Sequence, residues 1–205
     1  DNCGLGMCHQ NYRGHKLQGN SFDYPTLHGQ ILARLGYSYV SSDVRAYDYI
    51  DTIYDAIDLI CGKQEVCDWN MDTLMQRSVP MLISGAHLGA MHFPIRSVNS
   101  AVGGRVMLSA ERMPGRQVIA YQTQPNAERM FAESCDALQV TEGFAVLGRF
   151  AENGLPAIIR RRGGEADGRK GGLLIYGFPL ESAVDFESVY KQSIEWLFSV
   201  KQDNE

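Results

Sequence analysis

The stretch "LISGAHLGA", residues 82–90, places a histidine between two glycines as G-x-H-x-G. Gly85, His87 and Gly89 have the spacing of a nucleophile elbow, where the glycines permit a tight strand-to-helix turn that exposes the central side chain. Serine or cysteine normally occupies that centre. An imidazole there suits a general base, a rarer nucleophile or a metal ligand, and equally a hydrogen-bonded histidine at the sheet edge with no catalytic role.

A glutamate follows another strand-like run, in "YGFPLES", residues 176–182. Glu181 lies just beyond the predicted end of that strand, where a carboxylate can orient an imidazole or act as an acid or base. Alternatively, Glu181 or Ser182 caps the helix that follows. The sequence leaves both interpretations open.

Polar side chains are concentrated in "GNSFDYPTLHG", residues 19–29. Asp23 can cap a helix whose first turn contains the proline, so these two residues have a structural explanation. Capping leaves Asn20 and Ser21 unexplained. We therefore predict that this stretch lines a polar crevice, in which the ligand contacts come from Asn20, Ser21, Tyr24, His28, Gly85 and Gly89.

The spacing of apolar residues predicts the elements that position these side chains. A helix is predicted to begin at Pro25 and to end at Gly36, because apolar residues recur on one of its faces. Strands are predicted at 37–42, 55–62 and 79–85, with helices at 47–54 and 70–77 between them. This alternation is typical of a parallel sheet with helices on its faces.

The pattern changes after Gly104, where strand-like runs lie close together at 105–110, 116–123, 143–150, 156–162 and 171–178. A helix is predicted at 126–134, and an amphipathic helix with an apolar stripe from Phe186 to Phe198 closes the chain. Glycine-rich links favour antiparallel hairpins added to a mostly parallel α/β core. Because ligands bind beyond the carboxyl ends of parallel strands, we expect the three polar stretches at one sheet edge.

Composition excludes several classes of partner. The chain has 205 residues, enough for one domain, and a formal net charge of -5, which argues against nucleic-acid binding. No apolar run approaches the roughly 20 residues that a membrane-spanning helix needs. Its five cysteines form no CxxC pair, and although Cys3, Cys8 and His9 have the residue types of half a zinc site, no second ligand pair follows, so no metal is predicted. No phosphate loop or dinucleotide fingerprint occurs, so no other cofactor is predicted. The abrupt start, "DNCGLGMCHQ", leads us to expect further domains in a longer chain.

The motifs "GNSFDYPTLHG", "GYSYVSS", "YDAIDLICGKQ", "LISGAHLGA" and "GFPLES", in this order, resemble Bacteroidetes proteins labelled xanthan lyase. Some relatives of those proteins are labelled N-acetylmuramoyl-L-alanine amidase or carry a golvesin-type module. The resemblance extends from about Gly19 to Leu197. It implies the three-layer, flavodoxin-like fold of class I glutamine amidotransferases, an extracytoplasmic location, and polysaccharide or peptidoglycan as the ligand.

The resemblance also shows where this chain departs from an amidotransferase. In that fold the elbow bears a cysteine, and a His-x-Glu segment after a later strand completes the triad. Here His87 stands at the cysteine position and Pro179 at the histidine position, while Glu181 retains the glutamate. Without that thiol and imidazole, the thioester route to ammonia release from glutamine is not available.

Three functions of different classes remain. The first is an extracytoplasmic amidotransferase-like domain without the Cys-His-Glu triad that handles or binds polysaccharide or cell-wall glycan. The second is an active polysaccharide lyase, amidase or other hydrolase that uses His87 with Glu181 and Asp23 as acid, base and orienting groups. The third is a structural module of a surface protein. A hydrogen bond from His87 to Glu181 or Asp23 in an open cleft would favour the enzyme.

Overall fold

The described residues form a mixed α/β fold, in which a seven-stranded sheet carries two helices on one face. The computed structural model describes residues 24–41, 54–62, 79–88, 96–100, 103–109, 115–124, 130–163 and 171–202. The elements in chain order are α1 (Tyr24–Arg34), β1 (Ile57–Gly62), β2 (Met81–Gly85), β3 (Arg96–Ser100), β4 (Arg105–Leu108), β5 (Val118–Ala120), β6 (Asp136–Gln139), β7 (Ala145–Phe150), β8 (Pro156–Arg161), β9 (Leu173–Tyr176), a 3₁₀ turn (Leu180–Ser182) and α2 (Phe186–Gln202).

The sheet has the order β1-β2-β9-β8-β7-β4-β5, and β3 pairs with β6 in a separate ribbon. Only β1, β2 and β9 are parallel, whereas every pairing from β9 through β8, β7 and β4 to β5 is antiparallel. The prediction of a mostly parallel sheet is therefore wrong, because most of the strand pairings are antiparallel. The hairpins expected in the C-terminal half are confirmed, and they occupy more of the sheet than the parallel part.

Alternation along the central strands divides the core between the two faces of the sheet. Leu82 and Leu174 belong to the buried cluster that includes residues of both helices, such as Ile31 and Val189. Their neighbours in sequence, including Ile83, belong to a second cluster that packs with Leu138 of β6. Strands buried on both faces explain why β2 and β9 read as continuous apolar runs.

Helix α1 confirms the helix predicted from Pro25. Its C-terminus is closed by a Schellman motif, in which the amide of Tyr37 donates to the carbonyl of Leu32 and that of Gly36 to Ala33. Gly36 has a φ of 84°, a left-handed conformation that favours glycine at this position. The apolar stripe of α2 is confirmed as well, since Val189, Tyr190, Ile194 and Leu197 are all buried.

Two predicted elements are wrong where the structure describes them. Residues 37–41 form no strand, and the Tyr37 ring instead stacks on Phe198 of α2, with ring centroids 5.1 Å apart. The aromatic residue that made this segment resemble a strand is instead explained by packing on a helix. Residues 130–134 are not helical. The helices predicted at 47–54 and 70–77 lie, apart from residue 54, outside the described residues.

Strands β3 and β6 were not predicted, because their sequences "RSVNS" and "DALQ" show no sustained apolar alternation. Within the described part of the chain, no helix is both long and apolar enough to cross a membrane. The division of the chain as one domain, 1–205, stays a prediction.

Candidate functional site

The turn after β2 holds His87 in an unusual backbone conformation. His87, two residues beyond the strand, has a φ of 58°, and it is the one non-glycine residue in the described ranges with a positive φ. Such left-handed conformations are costly for residues with a Cβ atom, and they occur preferentially at functional sites. Gly85 is needed for close strand packing, because a Cβ atom there would lie 2.6 Å from Cβ of Cys61.

The imidazole of His87 contacts a serine that the sequence did not single out. Oγ of Ser134 lies 2.8 Å from Nε2 of His87, and both side chains are half-buried. Ser134 belongs to the loop that leads into β6. The pair therefore combines a hydroxyl and an imidazole at hydrogen-bonding distance, which is the basic requirement for a nucleophile and its general base.

An aspartate fixes this loop against the elbow. The amide of Leu88, next to His87, donates to the carboxylate of Asp136, and the amide of Asp136 donates to the carbonyl of Gly177 just beyond β9. A Cβ atom at Gly177 would collide with the carbonyl oxygen of Asp136, so glycine permits the close approach. Ser134 is thereby placed at the carboxyl ends of β2 and β9, the edge where open α/β sheets bind ligands.

Replacing His87 with glycine should leave the protein more stable than replacing it with alanine. Both His87→Gly and His87→Ala remove the imidazole, but only glycine adopts a φ of 58° without the Cβ clash. We expect His87→Gly to have a free energy of unfolding about 1 kcal/mol higher than His87→Ala, as measured by urea denaturation. Equal stability of the two variants would contradict the left-handed conformation.

A second polar cluster lies beneath the helices and is almost completely buried. Nδ1 of His28 in α1 donates to Oδ2 of Asp58 at 2.6 Å, and Nε2 donates to Oε1 of Glu181 at 3.0 Å. The hydroxyl of Tyr190 in α2 donates to the same oxygen of Asp58 at 2.6 Å. The side chain of His28 is 2% exposed and that of Glu181 is fully buried. The cluster joins α1, β1, the 3₁₀ turn and α2.

The His28 imidazole is held as a cation. Burial by itself lowers the pKa of His28, but the charges and hydrogen bonds of Asp58 and Glu181 outweigh burial and raise it to about 10. Because both ring nitrogens carry protons that are donated to carboxylates, neither has a lone pair to accept a substrate proton. His28 is therefore suited to hold the fold together rather than to act as a base.

Aromatic rings enclose this cluster. The ring centroids of Phe186 and Tyr190 lie 5.0 and 4.5 Å from that of His28. Burial, together with the neighbouring charge of Asp58, raises the pKa of the Tyr190 phenol, so that Tyr190 remains a donor to Asp58. The apolar walls strengthen the attraction between His28 and its two carboxylates, since they exclude water.

The structure separates the residues that the sequence placed at one edge. Glu181 is brought to His28, and within the described ranges no hydrogen bond joins it to His87. Asp58 pairs in register with Leu82, in the body of the sheet, so the His28 cluster is distinct from the carboxyl-end elbow. The capping role considered for Glu181 and Ser182 is wrong, because α2 begins four residues after Ser182.

The remaining predicted site residues have mixed outcomes. Tyr24 is 3% exposed and belongs to the core, which does not suit a crevice-lining role. Gly85 is buried against Cys61 and serves strand packing. The other four predictions, Asn20, Ser21, Asp23 and Gly89, lie outside the described residues.

Sequence reasoning missed Asp58, Tyr190, Ser134 and Asp136. Asp58 did carry a signal, because a carboxylate inside the apolar run "AIDLIC" must be paired once it is buried. Tyr190 was taken only as part of the apolar stripe of α2. Ser134 and Asp136 had no usable signal, since Ser134 ends the segment predicted as a helix and Asp136 follows it.

The described residues contain no group of three or more histidine, cysteine or acidic side chains arranged to hold a metal ion. Neither Cys61 nor Cys135 forms a disulfide bond with another described residue, and both are buried. Burial raises the pKa of Cys135 to about 12, which keeps its thiol protonated. These two thiols therefore do not replace the cysteine that the elbow lacks.

No known protein family matches the chain, and no curated protein matches its sequence. Solved structures do match. The cytoplasmic protein STM3548 from Salmonella typhimurium superimposes with a TM-score of 0.54 at 10% identity, over 84% of this chain and 86% of that chain. A β-galactosidase from Bacillus circulans sp. alkalophilus superimposes with a TM-score of 0.57 at 11% identity, over 90% of this chain.

The matched region is only 28% of the β-galactosidase chain. The exo-β-1,4-mannosidase Op5Man5 from Opitutaceae bacterium strain TAV5 has a lower TM-score of 0.45, at 10% identity, over 86% of this chain and 30% of that one. At identities this low, the first two likenesses show a shared mixed α/β fold and nothing about activity.

Proposed function

We propose that this chain is an extracytoplasmic amidotransferase-like domain, without the Cys-His-Glu triad, that binds or handles polysaccharide or cell-wall glycan. The observation that carries the proposal is the left-handed elbow at the carboxyl end of β2, which presents the imidazole of His87 instead of a thiol. A costly left-handed conformation at the position where the resemblance implies a nucleophile favours a ligand site with altered chemistry.

The residues that stand at the triad positions support the exclusion of glutaminase chemistry. Pro179 replaces the histidine, and Glu181 is engaged by the His28 cation beneath the helices. A thioester with glutamine requires a thiolate beside a general base, and both described cysteines are buried. We propose on the same grounds that the mixed sheet is a modified form of the three-layer flavodoxin-like fold.

The glycan ligand is supported by two weaker observations. The sequence motifs resemble proteins labelled xanthan lyase and N-acetylmuramoyl-L-alanine amidase, which implies carbohydrate or peptidoglycan. The fold also superimposes on part of a β-galactosidase, an arrangement that fits one domain of a longer carbohydrate-active chain. The alternative enzyme built from His87, Glu181 and Asp23 has no support from the hydrogen bonds of Glu181.

A binding screen tests the proposal. We expect the purified chain to bind at least one of xanthan, other bacterial and plant polysaccharides, or insoluble peptidoglycan, and to release no ammonia from glutamine. His87→Gly should weaken binding about tenfold or more if the elbow lines the site, because glycine removes the imidazole and relieves the backbone. Ser109→Ala, which changes a half-buried serine elsewhere, is the matched control and should bind normally.

Failure to bind any of these glycans would contradict the proposal and favour a structural module. Release of ammonia from glutamine would contradict the altered chemistry of the elbow. Production of unsaturated sugars, followed by ultraviolet absorbance, would instead establish a lyase.

A further inference from the structure

We propose that Ser134 and His87 form a hydrolytic dyad that cleaves small carboxylic esters, with Ser134 as nucleophile and His87 as general base. This activity goes beyond glycan binding, and it depends only on two side chains and their backbone. Three features carry it: the contact between the two side chains, the backbone conformation of His87, and the use of the neighbouring amide.

The contact itself has the required geometry. The 2.8 Å between Oγ of Ser134 and Nε2 of His87 is a normal hydrogen-bond length. In the tautomer that carries its proton on Nδ1, Nε2 accepts from the hydroxyl and can take its proton. Both side chains are half-buried, which leaves part of each open to solvent and to a small substrate. By contrast, the imidazole of His28 is buried and donates from both nitrogens, and it cannot take this role.

The backbone conformation of His87 argues against an incidental contact. A φ of 58° costs a residue with a Cβ atom roughly 1–2 kcal/mol, and glycine would avoid that cost. His87 therefore has a strained backbone that glycine would adopt at lower cost, and such strain occurs preferentially at functional sites.

The hydrogen bond of the Leu88 amide indicates which residue is the base and which is the nucleophile. In a nucleophile elbow, the amide of the residue after the nucleophile stabilises the oxyanion that forms. Here the amide of Leu88 already donates to the carboxylate of Asp136, so it is not available to support attack by residue 87. His87 is accordingly the base, and the hydroxyl of Ser134 is the attacking group.

The reaction balances without a cofactor. Oγ of Ser134 bonds to the ester carbonyl carbon as its proton moves to Nε2 of His87. The bond to the alkoxy group then breaks, and the imidazolium returns the proton to the departing alcohol. Water next gives a proton to Nε2 of His87 as its oxygen bonds to the acyl carbon. The bond from that carbon to Oγ of Ser134 then breaks, the imidazolium returns the proton to Oγ, and the carboxylic acid leaves.

Esters rather than amides are the substrate class. Among the described residues, the hydrogen bonds of His87 include none to a carboxylate, so the imidazolium lacks the acid that normally orients and stabilises it. A weaker general acid suffices for an alkoxide leaving group that needs little assistance, whereas an amine leaving group must be protonated. Small acyl esters also fit a half-buried hydroxyl better than a bulky acyl chain.

Hydrolysis of p-nitrophenyl acetate by the full chain tests the dyad. We expect Ser134→Ala and His87→Gly to lower the rate at least 100-fold, and Ser109→Ala to leave it unchanged. Imidazole added to the buffer should restore part of the rate to His87→Gly but none to Ser134→Ala. Diisopropyl fluorophosphate should inactivate the protein and label Ser134, as located by peptide mass spectrometry.

Circular dichroism and urea denaturation establish that each variant is folded, and Ser134→Cys provides a second nucleophile variant if alanine disturbs the loop. A folded Ser134→Ala variant with the wild-type rate would overturn the proposal, and so would labelling confined to other residues. The hydrolysis assay contains no glycan, so a negative result would contradict the dyad and not the proposed glycan binding. A negative binding screen would contradict glycan binding and not the dyad.

Discussion

Replacing His28 with leucine should destabilise the fold by about 3–5 kcal/mol, because it leaves two buried carboxylates without their cation. Oε2 of Glu181 and Oδ1 of Asp58 accept no hydrogen bond within the described ranges. After the substitution, the fully buried Glu181 therefore loses its one described hydrogen bond, whereas Asp58, whose side chain is 15% exposed, keeps the hydroxyl of Tyr190. Leucine is close to histidine in size, so the cost is electrostatic rather than a cavity effect.

The same two helical regions supply a matched control. Arg34 of α1 forms an ion pair with Glu187 of α2 at 2.8 Å, but both side chains are more than half exposed. Arg34→Leu should therefore lower the free energy of unfolding by no more than about 1 kcal/mol. Chemical denaturation of the two variants, measured at pH 7 with the same denaturant, gives the comparison.

A double variant separates charge from packing. Glu181→Gln in the His28→Leu background removes one uncompensated charge, so we expect it to recover about 1–3 kcal/mol of the loss. If His28→Leu is no more costly than Arg34→Leu, or if the second substitution adds further destabilisation, the buried ion cluster does not hold these elements together.

Raising the pH from 7 towards 10 should progressively destabilise the protein. The pKa of His28 is about 10 in the fold and 6.5 in its ordinary state, so the folded chain holds one more proton between these values. Stability from this group is complete below pH 6.5 and is lost as the pH rises through 10. The free energy of unfolding should fall by about 1.4 kcal/mol per pH unit within that window.

Three ionisable side chains among the described residues face His28, namely Asp58, Glu181 and Tyr190. Asp58 and Glu181 are its acceptors, and the raised pKa of Tyr190 keeps that phenol protonated. Urea denaturation at intervals from pH 7 to 10 measures the slope. Arg34→Leu should keep it, and His28→Leu should lose it above pH 8.

Nuclear magnetic resonance provides a direct readout of the same proton. The two imidazole nitrogens of His28 should both be protonated at pH 8, as seen in long-range ¹H–¹⁵N spectra. A neutral His28 ring at that pH would contradict the raised pKa, whatever the slope of the denaturation series.

The pattern of apolar residues along the sequence predicted those elements that are buried on both faces or on one regular face. The helix from Pro25, the apolar runs of β2 and β9 and the stripe of α2 were all recognisable, because burial on one or both faces leaves a regular apolar signal. The strand expected at 37–42 was wrong because Tyr37 packs on Phe198, a contact 161 residues away in sequence that no local pattern contains.

The sequence by itself determined the α/β class of the fold and the G-x-H-x-G spacing around His87. Only the tertiary structure decided which polar residues meet. Glu181 joined His28 and Asp58 rather than His87, because a buried imidazolium between two carboxylates is stable only when all three are brought together by α1, β1 and the turn before α2. Likewise, Ser134 reaches His87 through the close approach of Asp136 to Gly177, which depends on how β6 packs and not on its sequence.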